Sequence, residues 1–289
     1  MLSLHTNNAA LSAQNALAKT QSNLSTSMTR LSTGYRINTA SDDAAGLQIA
    51  TRLKAQTSGM AMAMKNTQNA TSMLQTASGA FNQVTNMLIR MKDLATQAAD
   101  VSSSADDKTA MQAEFDALGK ELSNVMKNTT FGGTLLLGDG SASTKGTLSG
   151  AMTFQIGASK SETMAVSVTA SMTALNAALS SASKNFTGAT TGTELTANAN
   201  ATIDLLKTAI DKVGTVNSTL GATINRLDHI NSNLSNISTN TESASGRIMD
   251  TDFATESASM TSNQMLLQAG TAMLKQSNSM SSLVMSLLQ

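Results

Sequence analysis

Residues 44–99 read AAGLQIATRLKAQTSGMAMAMKNTQNATSMLQTASGAFNQVTNMLIRMKDLATQAA. Leu53, Met60, Leu74, Phe81, Leu88 and Ala95 keep one seven-residue register, with only Thr67 polar in the row. Ile49, Ala63, Ala70, Ala77, Val84, Met91 and Ala98 hold the companion position, broken at Gln56. Two apolar rows at this period mark an α-helix whose stripe faces other helices. A third row, Met73, Ala80, Met87 and Leu94, widens the stripe beyond a two-stranded seam and predicts a bundle. Gly46, Gly59 and Gly79 each weaken the helix by ~1 kcal/mol but permit close contact. At 1.5 Å per residue the helix is about 80 Å long, which is rod geometry.

Toward the C-terminus the helix should end near DVSSSADDK, where Ser104 and Asp107 form a variant capping box with Asp in place of Glu. The next helix carries Met111, Phe115, Leu118, Leu122 and Val125 and stops at NTTFGGT. Residues 132–198 are rich in Gly, Ser and Thr and have few heptad signals. Two short strands are expected there, Met152–Ile156 and Thr163–Val168, with a short helix over 172–183 and a loop over 184–198. This reads as the exposed, tolerant part of the chain. From about residue 199 the heptads return: Leu206, Val213, Leu220, Leu227 and Leu234 form one row. Ala209, Val216, Ile230 and Ile237 form the other, interrupted by Thr223. This second long helix matches the first in character and predicts an antiparallel partner.

The ends differ from the middle. Residues 2–30 carry Leu4 and Leu11, then Leu17, Leu24 and Leu31, whose spacing marks a helix with one apolar seam. Lys19 is the only charged side chain before Arg30. At the other end SASGRIMDTDFA breaks the heptads. A final helix then places Phe253, Met260, Leu267 and Leu274 beside Leu266, Met273, Met280 and Leu287. From Phe253 to Gln289 the charges are Glu256 and Lys275 alone.

The chain as a whole has 13% charged residues, net charge 0, 2% aromatics, and no Cys, Pro or Trp. The charge is well below the usual quarter, and the apolar inventory is that of a helix bundle. Neutral balance gives no electrostatic reason for a nucleic-acid partner. MLSLHTNNAALSAQ lacks the basic and apolar regions of a Sec signal, and no apolar run reaches the ~18–20 residues of a membrane span. Isolated helices with so little charge are marginal in water, and tertiary packing is what normally stabilises them. Other copies of the same chain can supply it, because a patch meeting a different patch without closing a ring generates a helical filament.

The two junctions are more specific. LSTGYRINTASDDAAGLQIATRLKAQ (31–56), GRIMDTDFATESASM (246–260) and QMLLQAGTAMLKQSNSMSSLVMSLL (264–288) closely resemble bacterial flagellin. The match spans residues 2–138 and about 200–289, and FQIGASKSETMAVSV is similar to the β-hairpin at the tip of the flagellin rod domain. The resemblance implies a short form without large outer domains, of a kind frequent among lateral flagellins. It divides the chain into an inner-tube helix and spoke (1–42), the first part of a rod domain (43–131), a short variable region (132–198), the second part of the rod (199–245), and a C-terminal spoke and inner-tube helix (246–289). The fold expected is mainly α, with long antiparallel heptad helices in a rod-like bundle, a small β-hairpin at the tip, and terminal helices paired in a filament core.

What flagellins do then sets the expectations for sites. Leu4, Leu11, Leu17, Leu24, Leu31, Met260, Leu267, Leu274 and Leu287 are expected to pack the core between subunits. Arg30, Gly34, Arg36, Asp42, Asp43, Arg52, Arg247, Asp250 and Asp252 belong to the spoke. Here arginines can pair bidentately with carboxylates and aspartates favour helix starts. The resemblance also implies partners: identical subunits in a filament, a flagellar export chaperone, hook-associated and cap proteins, and host flagellin receptors. Arg90, Leu94 and Glu114 match receptor-contact positions, with Ile89 standing where the family usually has Gln. Export unfolded through a type III apparatus, an extracellular filament and a motility role complete the picture. A hook–filament junction protein shares similar ends and is the alternative.

Catalytic, metal and cofactor sites are not expected. His5 and His229 stand in different segments without HExxH, and no nucleophile elbow, P-loop or dinucleotide fingerprint occurs. The methionines fall at heptad positions, where they fill the core.

Overall fold

The computed structural model describes residues 7–140, 144–188 and 192–287, with side chains to Ser279 in the last segment. The protein is mainly α: α1 (Asn8–Thr33), α2 (Ala44–Ala98), α3 (Ala105–Asn128), α4 (Thr169–Ala182), α5 (Glu194–Met249) and α6 (Phe253–Leu287). Two antiparallel hairpins pair β1 (Thr130–Phe131) with β2 (Thr134–Leu135), and β3 (Ala151–Gln155) with β4 (Thr163–Ser167). The chain divides into two compact units, residues 57–238 and residues 1–56 with 239–289.

In the unit 57–238 the heptad rows become the core. Leu74, Ala77, Phe81, Val84, Leu88 and Met91 of α2 face Leu206, Ala209, Val213, Val216, Leu220 and Leu227 of α5, all of them buried in one cluster. The two helices run antiparallel. Met60 and Ala63 pack with Leu234, while Asn217 accepts from Ser78 at 2.5 Å and donates to Asn82 at 3.1 Å. Thr67, the polar exception, is buried with its hydroxyl donating to the Met64 carbonyl at 2.8 Å, so the heptad register continues through it. The α2–α3 connection carries the expected capping box: Ser104 Oγ accepts from Asp107 N at 3.1 Å, and Asp107 Oδ2 accepts from Ser104 N at 3.0 Å.

Residues 132–198 depart from their expected exposed character. Leu136, Leu137, Leu148, Val168, Met172 and Leu175 are at most 1% exposed and join the α2–α3–α5 core. These side chains occur singly among Gly, Ser and Thr, so no periodic stripe announces them. The β3–β4 hairpin and α4 lie close to their expected positions, while the two-residue strands β1 and β2 were not expected. The expected loop at 184–198 instead holds a short 3-10 turn (Lys184–Thr187) and the first turn of α5. Asn198 then breaks helical geometry (φ −158°, ψ 56°), so regular heptad helix starts at about the expected 199. Gly132 and Gly133 (φ 56° and 83°) make the tight β1–β2 turn that FGGT predicts. The β3–β4 tip rests against α2 at Gly59, where a Cβ would lie 2.6 Å from that of Ala158.

In the other unit α1 and α6 pack antiparallel. Asn7 Nδ2 donates to Ser277 O and Oγ at 3.3 Å, Leu17 lies against Gly270, and Arg30 meets Glu256 at 3.5 Å. α1 begins with Asn7 Oδ1 accepting from Ala10 N at 3.1 Å. It ends at Gly34 (φ 78°), whose N–H donates to the Arg30 carbonyl in a left-handed cap.

Candidate functional site: the terminal helix pair and its junction

The seam between α1 and α6 alternates steps of four and three. On α1 it runs through Ala10, Ala13, Leu17, Thr20, Leu24, Ser27 and Leu31; on α6 through Glu256, Met260, Asn263, Leu267, Gly270, Leu274 and Ser277. These positions are half-buried or, at Leu24 and Ser27, buried, while the residues between them are exposed except for the half-buried Arg30. Leu17, Leu24, Leu31, Met260, Leu267 and Leu274 thus meet inside one chain. Leu11 stands off the seam and is 52% exposed, because its six-residue step to Leu17 rotates it away. Leu4 and the side chain of Leu287 lie outside the described residues.

Much apolar surface stays uncovered beside this seam. Met28, Phe253, Met265, Leu266 and Met273 are between 48% and 67% exposed. Leu266 and Met273, seven residues apart, share one side of α6. Monomers seldom expose contiguous apolar surface on this scale without a partner for it.

The junction ties the ends of these helices together by backbone. Arg36 N–H donates to Met249 O at 2.6 Å, Thr251 N–H donates to Gly34 O at 3.0 Å, and Tyr35 bridges Asp250. Arg36 Nη2 donates to the Ile248 carbonyl at 2.8 Å rather than to a carboxylate. Arg30 pairs with Glu256, which residue-by-residue reading of the junction had not singled out. Arg52 and Arg247 form no ion pair among the described residues.

Asp42 Oδ2 closes the turn by accepting from Asn38 N (3.1 Å), Thr39 N (2.8 Å) and Thr39 Oγ1 (3.0 Å). Asp43 Oδ1 accepts from Gly46 N at 2.9 Å and starts α2. Asp252 does the same for α6, accepting from Ala254 N at 3.0 Å and Thr255 Oγ1 at 2.6 Å. Ile37 anchors the turn at 1% exposure, and Gly46 makes room for it, since a Cβ there would lie 2.8 Å from Ile37 Cδ1. Sequence reasoning missed Ile37; an isolated aliphatic residue between a glycine turn and two aspartates was the available signal.

The turn's backbone and hydroxyl donors hold the Asp42 carboxyl below its ordinary 3.8, and the Thr255 hydroxyl with the α6 N-terminus does so for Asp252. A depressed folded-state value contributes stability that is complete above the unfolded value and is lost as pH falls through the folded one. The thermal midpoint should therefore hold at neutral pH and decline only below about pH 4. A D42N/D252N protein should show a shallower acid limb by circular dichroism melting; equal acid slopes would remove both caps from the account.

Of the residues expected to meet a receptor, Arg90 and Glu114 lie on the surface and pair with each other at 2.7 Å, whereas Leu94 is 3% exposed beneath them. Among the described residues no three metal-ligating side chains cluster, and no helix is long and apolar enough to cross a membrane.

Comparison with known proteins agrees with this architecture. The model of the bacterial flagellin N-terminal helical region matches residues 4–142, and that of the C-terminal helical region matches residues 203–288. Flagellin A of Vibrio cholerae is 32% identical over 385 aligned positions, covering 100% of both chains. Polar flagellin C of Vibrio parahaemolyticus is 30% identical over 390, again covering 100% of each. Both alignments are longer than this 289-residue chain, so the relatives carry residues that it lacks. A flagellar hook-associated protein from Vibrio parahaemolyticus shares the fold, with a TM-score of 0.59 at 17% identity over 72% of this chain and 100% of that one. With both helical ends matched in order and full-length relatives at this identity, the chain belongs to the bacterial flagellin family, the structural subunits of flagellar filaments.

Proposed function

We propose that this flagellin polymerises through its terminal helix pair. The observation that carries the reading is a charge-poor α1–α6 pair that uses one apolar seam internally and leaves Leu11, Met28, Met265, Leu266 and Met273 uncovered. Within the core-packing set Leu4, Leu11, Leu17, Leu24, Leu31, Met260, Leu267, Leu274 and Leu287, the seam residues hold the pair together. Outward positions such as Leu11 meet neighbouring copies. Open-ended stacking of such pairs makes the inner tube of an extracellular filament, and residues 43–131 and 199–245 form the rod domain with 132–198 packed into its core. At the spoke, Arg52 and Arg247, which form no ion pair among the described residues, would meet carboxylates of adjacent subunits.

Export unfolded by the flagellar type III apparatus, capture of the C-terminal helix by an export chaperone, and contact with hook-associated and cap proteins follow from the same reading. The exposed Arg90–Glu114 pair is the surface offered to a host flagellin receptor, with Leu94 supporting it from below. Electron microscopy of the purified subunit after seeding or salting-out tests the assembly reading. Long regular filaments are expected. Short oligomers, or growth solely on hook ends, would place a hook–filament junction protein first.

A further inference from the structure

Sulfur in this chain is confined to methionine: 19 Met and no Cys. Its exposure varies widely, and in the unit 57–238 Met62 on α2 is 54% exposed. Met91, Met126 and Met172 in the unit 57–238 are 0% exposed, while Met28 on α1 and Met265 and Met273 on α6 are 48%, 60% and 67% exposed. None of these three sits on the α1–α6 seam, so a change at their sulfurs leaves the contacts of Leu17, Leu24, Met260 and Leu267 in place.

We propose that Met28, Met265 and Met273 are oxidative modification sites that control entry of the subunit into the filament; this rests on the α1–α6 outer face being the one covered on assembly. The co-reactant is a two-electron oxygen donor, hydrogen peroxide or a hypohalous acid. With hydrogen peroxide, a sulfur lone pair attacks one oxygen, the S–O bond forms as the O–O bond breaks, and the departing hydroxide takes the proton from the sulfur-bound oxygen and leaves as water. Sulfur is oxidised by two electrons and the peroxide is reduced by two. With no thiol in the chain to react first, exposure decides which thioethers are reached. The product is a polar, chiral sulfoxide where an apolar contact is required, and covering it without a hydrogen-bond partner opposes association. Subunits already in the filament have these sulfurs covered and are protected.

The test treats the full-length subunit with graded hydrogen peroxide, quenches with catalase, and measures polymerisation beside site-resolved peptide mass spectrometry. Met28, Met265 and Met273 should oxidise well before the buried methionines, and the concentration needed for polymerisation should rise about tenfold for each sulfoxide covered. Methionine sulfoxide reductases with a thiol reductant should restore assembly, and preformed filaments should oxidise more slowly at the same positions. The M28L/M265L/M273L protein should polymerise untreated and remain competent after peroxide. Unimpaired polymerisation of a subunit carrying all three sulfoxides would overturn the proposal while leaving the filament reading intact. Equal loss of competence in the leucine variant would overturn it too, by moving the sensitive sulfur elsewhere. Failure of the untreated subunit to polymerise would overturn the filament reading, and the proposal with it.

Discussion

Replacing Leu24 with Asp should abolish filament growth and leave residues 57–238 folded. Leu24 is 7% exposed at the middle of the α1–α6 seam, where it and Ser27 are the buried positions of α1. A carboxylate placed there without a counter-charge costs several kcal/mol, or forces the helices apart to reach water. Two helices of this composition cannot absorb that loss, because most of a helix's stability in a protein comes from the packing of its apolar face. The unit 57–238 has a separate core and should melt as it does in the unsubstituted chain. Leu267→Asp, on the opposite helix, should behave the same way, and Leu24→Met should assemble. Electron microscopy and circular dichroism melting read the two halves of the expectation independently. Filaments of ordinary length from L24D would refute the assignment of this seam to assembly.

The prediction rests on a seam that was legible because an α-helix repeats nearly every seven residues in two turns, so burial writes itself into spacing. The rows on α2 and α5 were readable for that reason, and Thr67 interrupted one without ending it because its hydroxyl satisfies itself on Met64. The same logic failed at Leu11, where a six-residue step imitates the period and rotates the side chain outward. It failed more broadly at 132–198, where Leu136, Leu148 and Met172 each enter the core from a different stretch of chain. Burial there is set by tertiary contact and leaves no periodic trace.

At the junction the residue types were legible and their partners were not. Asp43 and Asp252 start helices, as adjacent turn and helix patterns predict. That Arg30 finds Glu256, and that Arg36 donates to a main-chain carbonyl, depends on which ends the fold brings together across more than two hundred residues. The exposed face of α6 was visible as a second apolar row at Leu266 and Met273. Only the structure separates it from the inward row at Met260, Leu267 and Leu274.

Phe81→Ala should have the opposite profile to L24D: a large loss of stability with assembly retained below the new melting temperature. Phe81 is 0% exposed in the α2 heptad row, with Ala77 and Val84 buried beside it. The Ser78–Asn217–Asn82 hydrogen bonds hold α2 against α5 at the same level. With the helices pinned there, the backbone cannot collapse into the space the ring leaves, and the full cavity cost of about 3–5 kcal/mol applies. For a unit of this size that lowers the melting midpoint by roughly 10 °C. The α1–α6 pair is untouched by the change, so seeded growth at low temperature should proceed, and the resulting filaments should dissociate at a lower temperature than those of the unsubstituted chain. A midpoint unchanged by the substitution would show that α2 and α5 close over the gap, and that their polar tie does not fix their spacing. Loss of seeded growth at a temperature where the variant remains folded would show that the seam and the α2–α5 core are one cooperative system rather than two.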